Sequence, residues 1–406
     1  MANSLLSVTD ALTRVLAGVA PLGAPLTVPL GEAHGRTLAQ ALVARRTQPP
    51  VDVSAMDGYA VRAADLAAPG ARVRLIGESA AGHGFGGPLN PGETVRIFTG
   101  APVPQGADAI LLQEDALVEN GTIGAAAPPG PHIRPAGLDF SQGAVALIAG
   151  TRLGPAELAL AAAMNHALLP VARPPRVAIL ASGDELVPPG ASPGPAQIIA
   201  SNSYAVAAIV ERAGGEAIDL GIFRDDLADL ERGFALAREA RADVLVTLGG
   251  ASVGDRDLLR PALARQGMTL DFWRIAMRPG KPLIHGRLGE TRILGLPGNP
   301  VAAIVCALVF LSPLLRALQG DPKAGEDKSE AALLGADLSS NKSRRDFLRA
   351  TLTKDAQGRM IATPQPMQDS SLLTELVGSQ ALLIREPGAP AARKGEPCRR
   401  LRLPGG

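Results

Sequence analysis

An excess of charge of either sign is missing from this 406-residue chain: 40 basic and 39 acidic residues leave a formal net charge of +1. No global field therefore draws it to nucleic acid or to an anionic membrane. Aromatic residues are scarce as well, at 3%, which leaves few rings on which unpaired bases stack. Nucleic acid is not an expected partner. Only two cysteines occur, Cys306 in an apolar run and Cys398 among arginines. Neither a disulfide framework nor a cysteine-caged metal is expected from them. The five histidines (34, 83, 132, 166 and 285) are scattered without ligand spacing. A transition metal handled here would arrive as an oxyanion, met by Arg, Lys, Ser and backbone donors. The opening MANSLLSVTD lacks the basic start and apolar core of a signal peptide. The most apolar stretch, 301–315, is shorter than a bilayer span and interrupted by Ser312-Pro313, so it reads as a buried helix. The cytoplasm is the expected compartment, with no membrane partner.

What is present is ample core. Hydrophobic residues at 46% and charged residues at 19% describe a globular chain, and its length suggests roughly two to four domains. Ser7-Val-Thr-Asp10 reads as a capping-box variant opening an amphipathic helix, with Val8, Leu12, Val15, Leu16 and Val19 on one face. A second helix is expected over 31–43, before the breaker Pro49-Pro50. From there to about 150, short β-like runs (72–76, 94–98, 109–112) alternate with Gly- and Pro-rich turns, as in a small mostly-β domain. Pro155 then opens a helix to about 168.

After Pro174-Pro175 strands and helices alternate. Strands are expected at 176–181, 216–222, 243–248, 282–286 and 291–296, and helices at 203–213, 226–240, 255–266 and 299–318. Apolar strands alternating with helices imply a three-layer α/β domain around a parallel sheet. A polar linker, 320–330, leads to a β-rich tail.

In open α/β sheets ligands bind beyond the carboxyl ends of the strands. Four loops meet that edge: Ser182-Gly-Asp-Glu185, Arg224-Asp-Asp226, 249–257 and Pro297-Gly-Asn-Pro300. The glycines of 249–254 suit a phosphate cradle, with Ser252 adding a hydroxyl, or form an ordinary tight turn. Arg278-Pro-Gly-Lys281-Pro is a rigid basic loop, read equally well as an oxyanion contact or a solvated turn. Glu185, Asp225, Asp226, Asp255 and Asp257 would hold Mg²⁺ or orient water if neighbouring strands bring them together. One of Asp225 and Asp226 is expected merely to cap the next helix, and Asn202-Ser203 likewise reads first as an N-cap. Gly298 admits close approach of a ligand, or the segment 297–300 is only a turn.

Six blocks in order resemble the MoeA-like molybdopterin molybdenumtransferase family, which includes the E domain of gephyrin. They are Ser54-Ala-Met-Asp57-Gly58-Tyr59-Ala60; Arg96-Ile-Phe-Thr99-Gly100-Ala-Pro-Val-Pro104 with Gly106-Ala-Asp108; Ser182-Gly-Asp-Glu185-Leu; Gly249-Gly-Ala-Ser-Val-Gly254 with Asp257; Arg278-Pro-Gly-Lys281-Pro; and Leu296-Pro-Gly-Asn-Pro300. The resemblance spans nearly the whole chain. It departs at Leu248, where members more often carry Ser or Thr, and is loose in the C-terminal region, through Arg345-Asp-Phe347-Leu-Arg349 and Asp369-Ser-Ser371.

The resemblance implies four parts: a helical domain from 1–48 and 141–173, a mostly-β insertion 49–140, an α/β molybdopterin-binding domain 174–325 and a C-terminal β-barrel-like domain 326–406. It implies a homodimer whose clefts each join the α/β domain of one subunit to the insertion of the other, which gives Asp57, Thr99 and Asp139 functional roles. It also implies that molybdenum from molybdate enters adenylylated molybdopterin with release of AMP. Gly249, Gly250, Ser252, Gly254, Lys281 and the loop Pro297, Gly298, Asn299, Pro300 would then bind substrate, and Arg278 with Lys281 would meet molybdate. Glu185, Asp225 and Asp257 would hold Mg²⁺ or orient water. Transient contacts with the molybdopterin adenylyltransferase and with acceptor molybdoenzymes are expected. The alternatives are a related adenylyltransferase or pyrophosphatase, or a non-catalytic carrier or scaffold; a preference for tungstate over molybdate is not decided by the residues.

Overall fold

The chain is described by a computed structural model over residues 5–250 and 258–404. Its centre is a six-stranded sheet in the order Glu216–Phe223, Arg176–Ser182, Val244–Leu248, Thr291–Leu296, Pro282–Leu288, Thr269–Arg274. The first four strands are parallel and the last two antiparallel. The sheet is therefore mixed rather than wholly parallel. Only Gly289-Glu290 separates Leu288 from Thr291, and two residues form a hairpin but never a crossover. Strand Thr269–Arg274, which was not anticipated, has one buried residue, Phe272, too few to show an apolar period.

Successive residues of Arg176–Ser182 face opposite layers, as a strand buried on both sides requires. Val177, Ile179 and Ala181 join a core with the helix Asn202–Arg212 and the helical run 300–318. Ala178 and Leu180 join the core beneath Leu227–Glu239 and Leu259–Arg265. Three layers result. The expected helix at 255–266 begins in the described residues at 259, and 255–257 lie outside them. The helical run Pro300–Leu318 has 19 residues and a mean hydropathy of 2.3, so length and composition alone would let it cross a membrane. It is instead the core helix of this domain, with Val301, Val305, Phe310, Leu311, Leu314 and Leu315 buried. It does not break at Ser312-Pro313: a π turn at Ala307–Leu311 carries the chain through. Pro313 has no N–H for the carbonyl four residues back, and a widened turn accommodates that loss.

The first helix, Val8–Leu16, is capped by Ser7, whose hydroxyl accepts from Asp10 N at 3.0 Å. Its buried face, Val8, Ala11 and Val15, packs on the α/β core, and Arg292 donates to the carbonyls of Val15 and Gly18 at its far end. The helix thus sits with the α/β domain rather than with 141–173. Residues from about 26 to 48 do pair with the latter: Leu26–Pro29 runs antiparallel to Leu168–Val171, and one core joins Leu38, Leu42, Phe140, Leu153 and Met164. No helix forms over 31–43. A single 3₁₀ turn, Leu30–Glu32, is followed by left-handed Gly35, and Thr37 and Leu38 then bridge to Arg152 and Val171. The helix at Pro155 ends at Ala163, because Asn165 turns left-handed.

The insertion is a six-stranded mostly antiparallel sheet, with Gly58–Val61 between Ala109–Leu112 and Glu93–Ile97. It leaves the small domain through a narrow neck where Gln48 pairs with Phe140. At the C-terminus, Glu330–Leu334, Arg345–Lys354, Met360–Pro364, Ala381–Arg385 and Pro397–Arg402 close into a five-stranded barrel. Strand Met277–Arg278 of the α/β domain adds to it in parallel, beside Arg345 and Asp346.

Candidate active site

Numbered along the chain, the parallel strands lie in the order 2-1-3-4, so the strand order reverses between Arg176–Ser182 and Val244–Leu248. A crevice opens at such a switch point. The loop after each of these two strands is tied to the neighbouring strand on its outer side: Gly183 N donates to Phe223 O at 3.1 Å, and Gly249 N donates to Leu296 O at 3.3 Å. Gly249 adopts φ +94° and Gly250 φ +58°. A Cβ on Gly249 would lie 2.5 Å from Ser182 O, so only glycine fits. Gly249→Ala is expected to cost about 1–3 kcal/mol through its backbone conformation alone, and more through the clash. A denaturant midpoint measures it, and an unchanged midpoint would remove the close-packing argument.

A cavity of about 360 Å³ lies at this edge, walled by Ser182, Glu185, Asn202, Gly249, Gly298 and Ser371 among others. Ser182 Oγ is buried with no well-formed hydrogen bond among the described residues, a polar atom turned toward the glycine pair, near the place a Cβ on Gly250 would occupy. The helix Asn202–Arg212 presents its N-terminus, with its positive partial charge, to the same space. Asn202 is not a cap. Its Nδ2 donates across the cavity edge to Gly298 O at 2.7 Å. Asn299 Nδ2 reaches Ser370 Oγ in the C-terminal barrel at 2.7 Å, and Val301 N donates to Ser370 O. The turn 297–300 is thus held from both sides, with Pro297 buried beneath it and Pro300 starting the helix.

Asp226 and Asp225 divide their work. Asp226 caps the helix Leu227–Glu239, accepting from Asp229 N at 2.8 Å. Asp225 is left for the site, its N–H on Asp184 Oδ1 at 3.3 Å. Burial pushes its carboxyl up, and the charges of Asp184 and Glu185 push it further, against a lowering by the Ser182 hydroxyl. Glu185 folds back over Gly183. Among the described residues no three His, Cys, Asp or Glu side chains form a ready metal cage.

The antiparallel hairpin brings the basic loop to this edge too. Ile284 stands opposite Gly295, and the same register carried two residues on sets Pro282 opposite Pro297. Lys281 is exposed there and makes no side-chain bond among the described residues; only its carbonyl is used, accepting from Ile275 N. Gly280 beside it has φ +111°, and a Cβ would run into Cys306 Sγ of the core helix. Arg278 behaves differently. Its guanidinium is paired with buried Asp346 of the barrel, so it fastens two domains together while its side chain stays half exposed.

Three family profiles match the chain in order: "MoeA N-terminal region (domain I and II)" over 6–165, "Probable molybdopterin binding domain" over 178–317, and "MoeA C-terminal region (domain IV)" over 331–401. A molybdopterin molybdenumtransferase of Haemophilus influenzae is 35% identical over 370 residues, 90% of this chain and 91% of its own. Molybdopterin molybdenumtransferase 2 of Mycobacterium tuberculosis is 40% identical over 365 residues, 87% and 89% of the two chains. The chain belongs to the molybdopterin molybdenumtransferase family. A crystal structure of the molybdopterin biosynthesis MoeA protein from Pyrococcus horikoshii superposes over 99% of this chain and 100% of its own, with TM-score 0.79 and 30% identity.

The family frame sharpens what one chain does not bring together. Glu185, Asp225, Gly249, Gly250, Lys281 and 297–300 share one edge. Asp57 and Thr99 bind each other in the insertion, Thr99 N and Oγ1 both donating to Asp57 Oδ1, at 2.7 and 2.8 Å. The backbone bond from Thr99 above all, then its hydroxyl, holds the Asp57 carboxyl below its ordinary range. Asp139 is exposed at the neck, its N–H on Gln48 O at 3.0 Å. Hydrogen bonds at the neck join Gln48 and Pro49 to the 137–140 turn, and none described links this region to the α/β edge. Ser252, Gly254 and Asp257, with Asp255, lie outside the described residues. Sequence reasoning passed over Ser182 and Asp184 as site groups, and Ser370 and Ser371 as the barrel's contribution. Asp369-Ser-Ser371 was the visible signal for the last two: Asp369 carries Ser371 N and Oγ at 2.8 and 2.6 Å, while buried Arg349 grips the carbonyls of Met367 and Asp369.

Proposed function

We propose that this enzyme inserts molybdenum from molybdate into adenylylated molybdopterin, cleaving the phosphoanhydride and releasing AMP. The observation that carries the reading is the left-handed Gly249-Gly250 pair at the strand-order switch, facing Ser182 and the N-terminus of the helix Asn202–Arg212. Backbone N–H groups so placed suit phosphate oxygens. Burial first, then its neighbours Asp184 and Glu185, raises the Asp225 carboxyl; among the described residues these groups form no cage by themselves, but Mg²⁺ is usually held by one or two carboxylates plus substrate phosphates. Glu185 and Asp225 would hold it, and it would offset charge on the phosphoanhydride. Asp225 orients the attacking water, and Lys281 meets molybdate or the departing phosphate. The two dithiolene sulfurs then bond the molybdenum in place of one molybdate oxygen, which leaves as water with the two thiol protons, and the oxidation state of the metal does not change.

The separation of Asp57 and Thr99 from the α/β edge supports a homodimer in which the insertion of one subunit completes the cleft of the other. The enzyme would work in the cytoplasm, with transient contacts to the adenylyltransferase upstream and to acceptor molybdoenzymes. Lys281→Ala is expected to lower kcat/KM for molybdate about 10- to 150-fold, the equivalent of roughly 1.5–3 kcal/mol for a hydrogen bond to a charged group, with the folded structure unchanged. Full retention of kcat/KM would remove Lys281 from the site.

A further inference from the structure

A second cavity, of about 490 Å³, opens where the domains meet, walled by Arg152, Arg212, Arg316, Lys328 and Arg402. These residues come from different parts of the chain: Arg152 precedes the helix Pro155–Ala163, Arg212 ends the helix Asn202–Arg212, Arg316 lies in the core helix, Lys328 in the linker and Arg402 in the last barrel strand. Among the described residues no carboxylate walls the cavity. The helix Asn202–Arg212 has its start at the candidate active site and its end here, so the two cavities are separated by about 16 Å along its axis.

We propose that this junction is a binding site for a compact polyanion carrying two or more phosphoryl groups, distinct from the active cleft. Arg316 is paired behind the cavity with buried Asp321, Nε on Oδ2 at 2.7 Å. Arg152 donates to two backbone carbonyls at the helix end, Ala213 O at 3.2 Å and Arg212 O at 2.7 Å. Those bonds fix its guanidinium without neutralising its charge. Lys328 makes no ion pair among the described residues, and Arg212 is exposed. Burial, then the charge of Arg316, holds both Arg152 and Lys328 below their ordinary ranges, with Asp321 opposing in each case and Glu326 opposing at Lys328. Like charges brought together this way repel, and a multiply charged anion relieves every pair at once. Guanidinium forks match phosphate oxygens in geometry as well as charge. The volume falls within the range of small-ligand pockets, and Leu308, Leu401, Leu403 and Pro404 form an apolar wall against which a base or other flat group would rest.

The test is calorimetric titration of the full-length protein with inorganic pyrophosphate at fixed ionic strength. Saturable binding is expected in the wild type, kept in Lys281→Ala, and weakened about tenfold or more in Arg212→Ala/Lys328→Ala, as the loss of one to two charged contacts implies. Both substituted residues are exposed, so the double variant is expected to keep its denaturation midpoint and its insertion activity. Pyrophosphate should raise the wild-type midpoint and not the double variant's. Unchanged affinity in the double variant, loss of all binding in Lys281→Ala alone, or equal displacement by sulfate at the same ionic strength would each overturn the proposal. ATP binding more tightly than pyrophosphate at this site would assign it to a nucleotide, and equal binding to an inorganic polyphosphate. The readout is binding, so failure here leaves the reading of the active cleft untouched.

Discussion

Asp225→Asn is expected to make the protein more stable at neutral pH and nearly inactive. The carboxyl is held above its usual range by burial first, then by Asp184 and Glu185. A group raised in the folded state favours folding below its ordinary pKa and loses that contribution as pH rises through the raised value. At neutral pH the ionised Asp225 therefore opposes folding, and the neutral amide of the same size does not. The variant's thermal midpoint should exceed the wild type's at pH 7, and the gap should close as pH falls toward the carboxylate range. Mg²⁺ should raise the wild-type midpoint and act weakly on the variant. Insertion should fall about 100-fold or more, the scale on which positioned acid–base groups contribute. A lower midpoint at pH 7 together with wild-type activity would show that Asp225 is a structural residue.

A dimer assembled from one Asp57→Ala chain and one Lys281→Ala chain should recover activity that neither parent dimer has. In a two-fold dimer with shared clefts, one cleft of the mixed pair collects both defects and the other has none. About half of the wild-type rate is then expected per mixed dimer. Asp57 is suited to this test because it is exposed in the insertion, where it orders Thr99. A mixed dimer as inactive as its parents would place Asp57 and Lys281 of one and the same chain in one cleft, and would contradict the shared arrangement. The test reads the domain arrangement directly, since a single chain keeps the insertion and the α/β edge apart.

Much of the site was legible because strand ends are legible. Arg176–Ser182, Val244–Leu248 and Thr291–Leu296 are mostly apolar, so their boundaries, and the Gly- and Asp-rich loops that follow, stand out without any partner information. The division between Asp225 and Asp226 was anticipated in kind but not in assignment, because which carboxylate caps depends on the helix's first N–H groups and not on composition. The ion pair of Arg278 was not legible, because its partner Asp346 lies 68 residues on, in a domain whose docking is invisible in the local loop. Ser182 has no motif of its own, and its interest comes only from being buried without a well-formed bond beside the glycine pair. The helix expected over 31–43 failed on local grounds. The downstream breaker Pro49-Pro50 marked an end for it, but Gly35 turns left-handed and Thr37 and Leu38 find strand partners far along the chain.

The most direct measurement supplies purified protein with adenylylated molybdopterin, Mg²⁺ and a titration of molybdate, and follows AMP release alongside reconstitution of a molybdoenzyme apoprotein. Both should rise together with molybdate and saturate. AMP released without reconstitution, or tight binding with neither, would contradict molybdenum insertion as the reaction of this site.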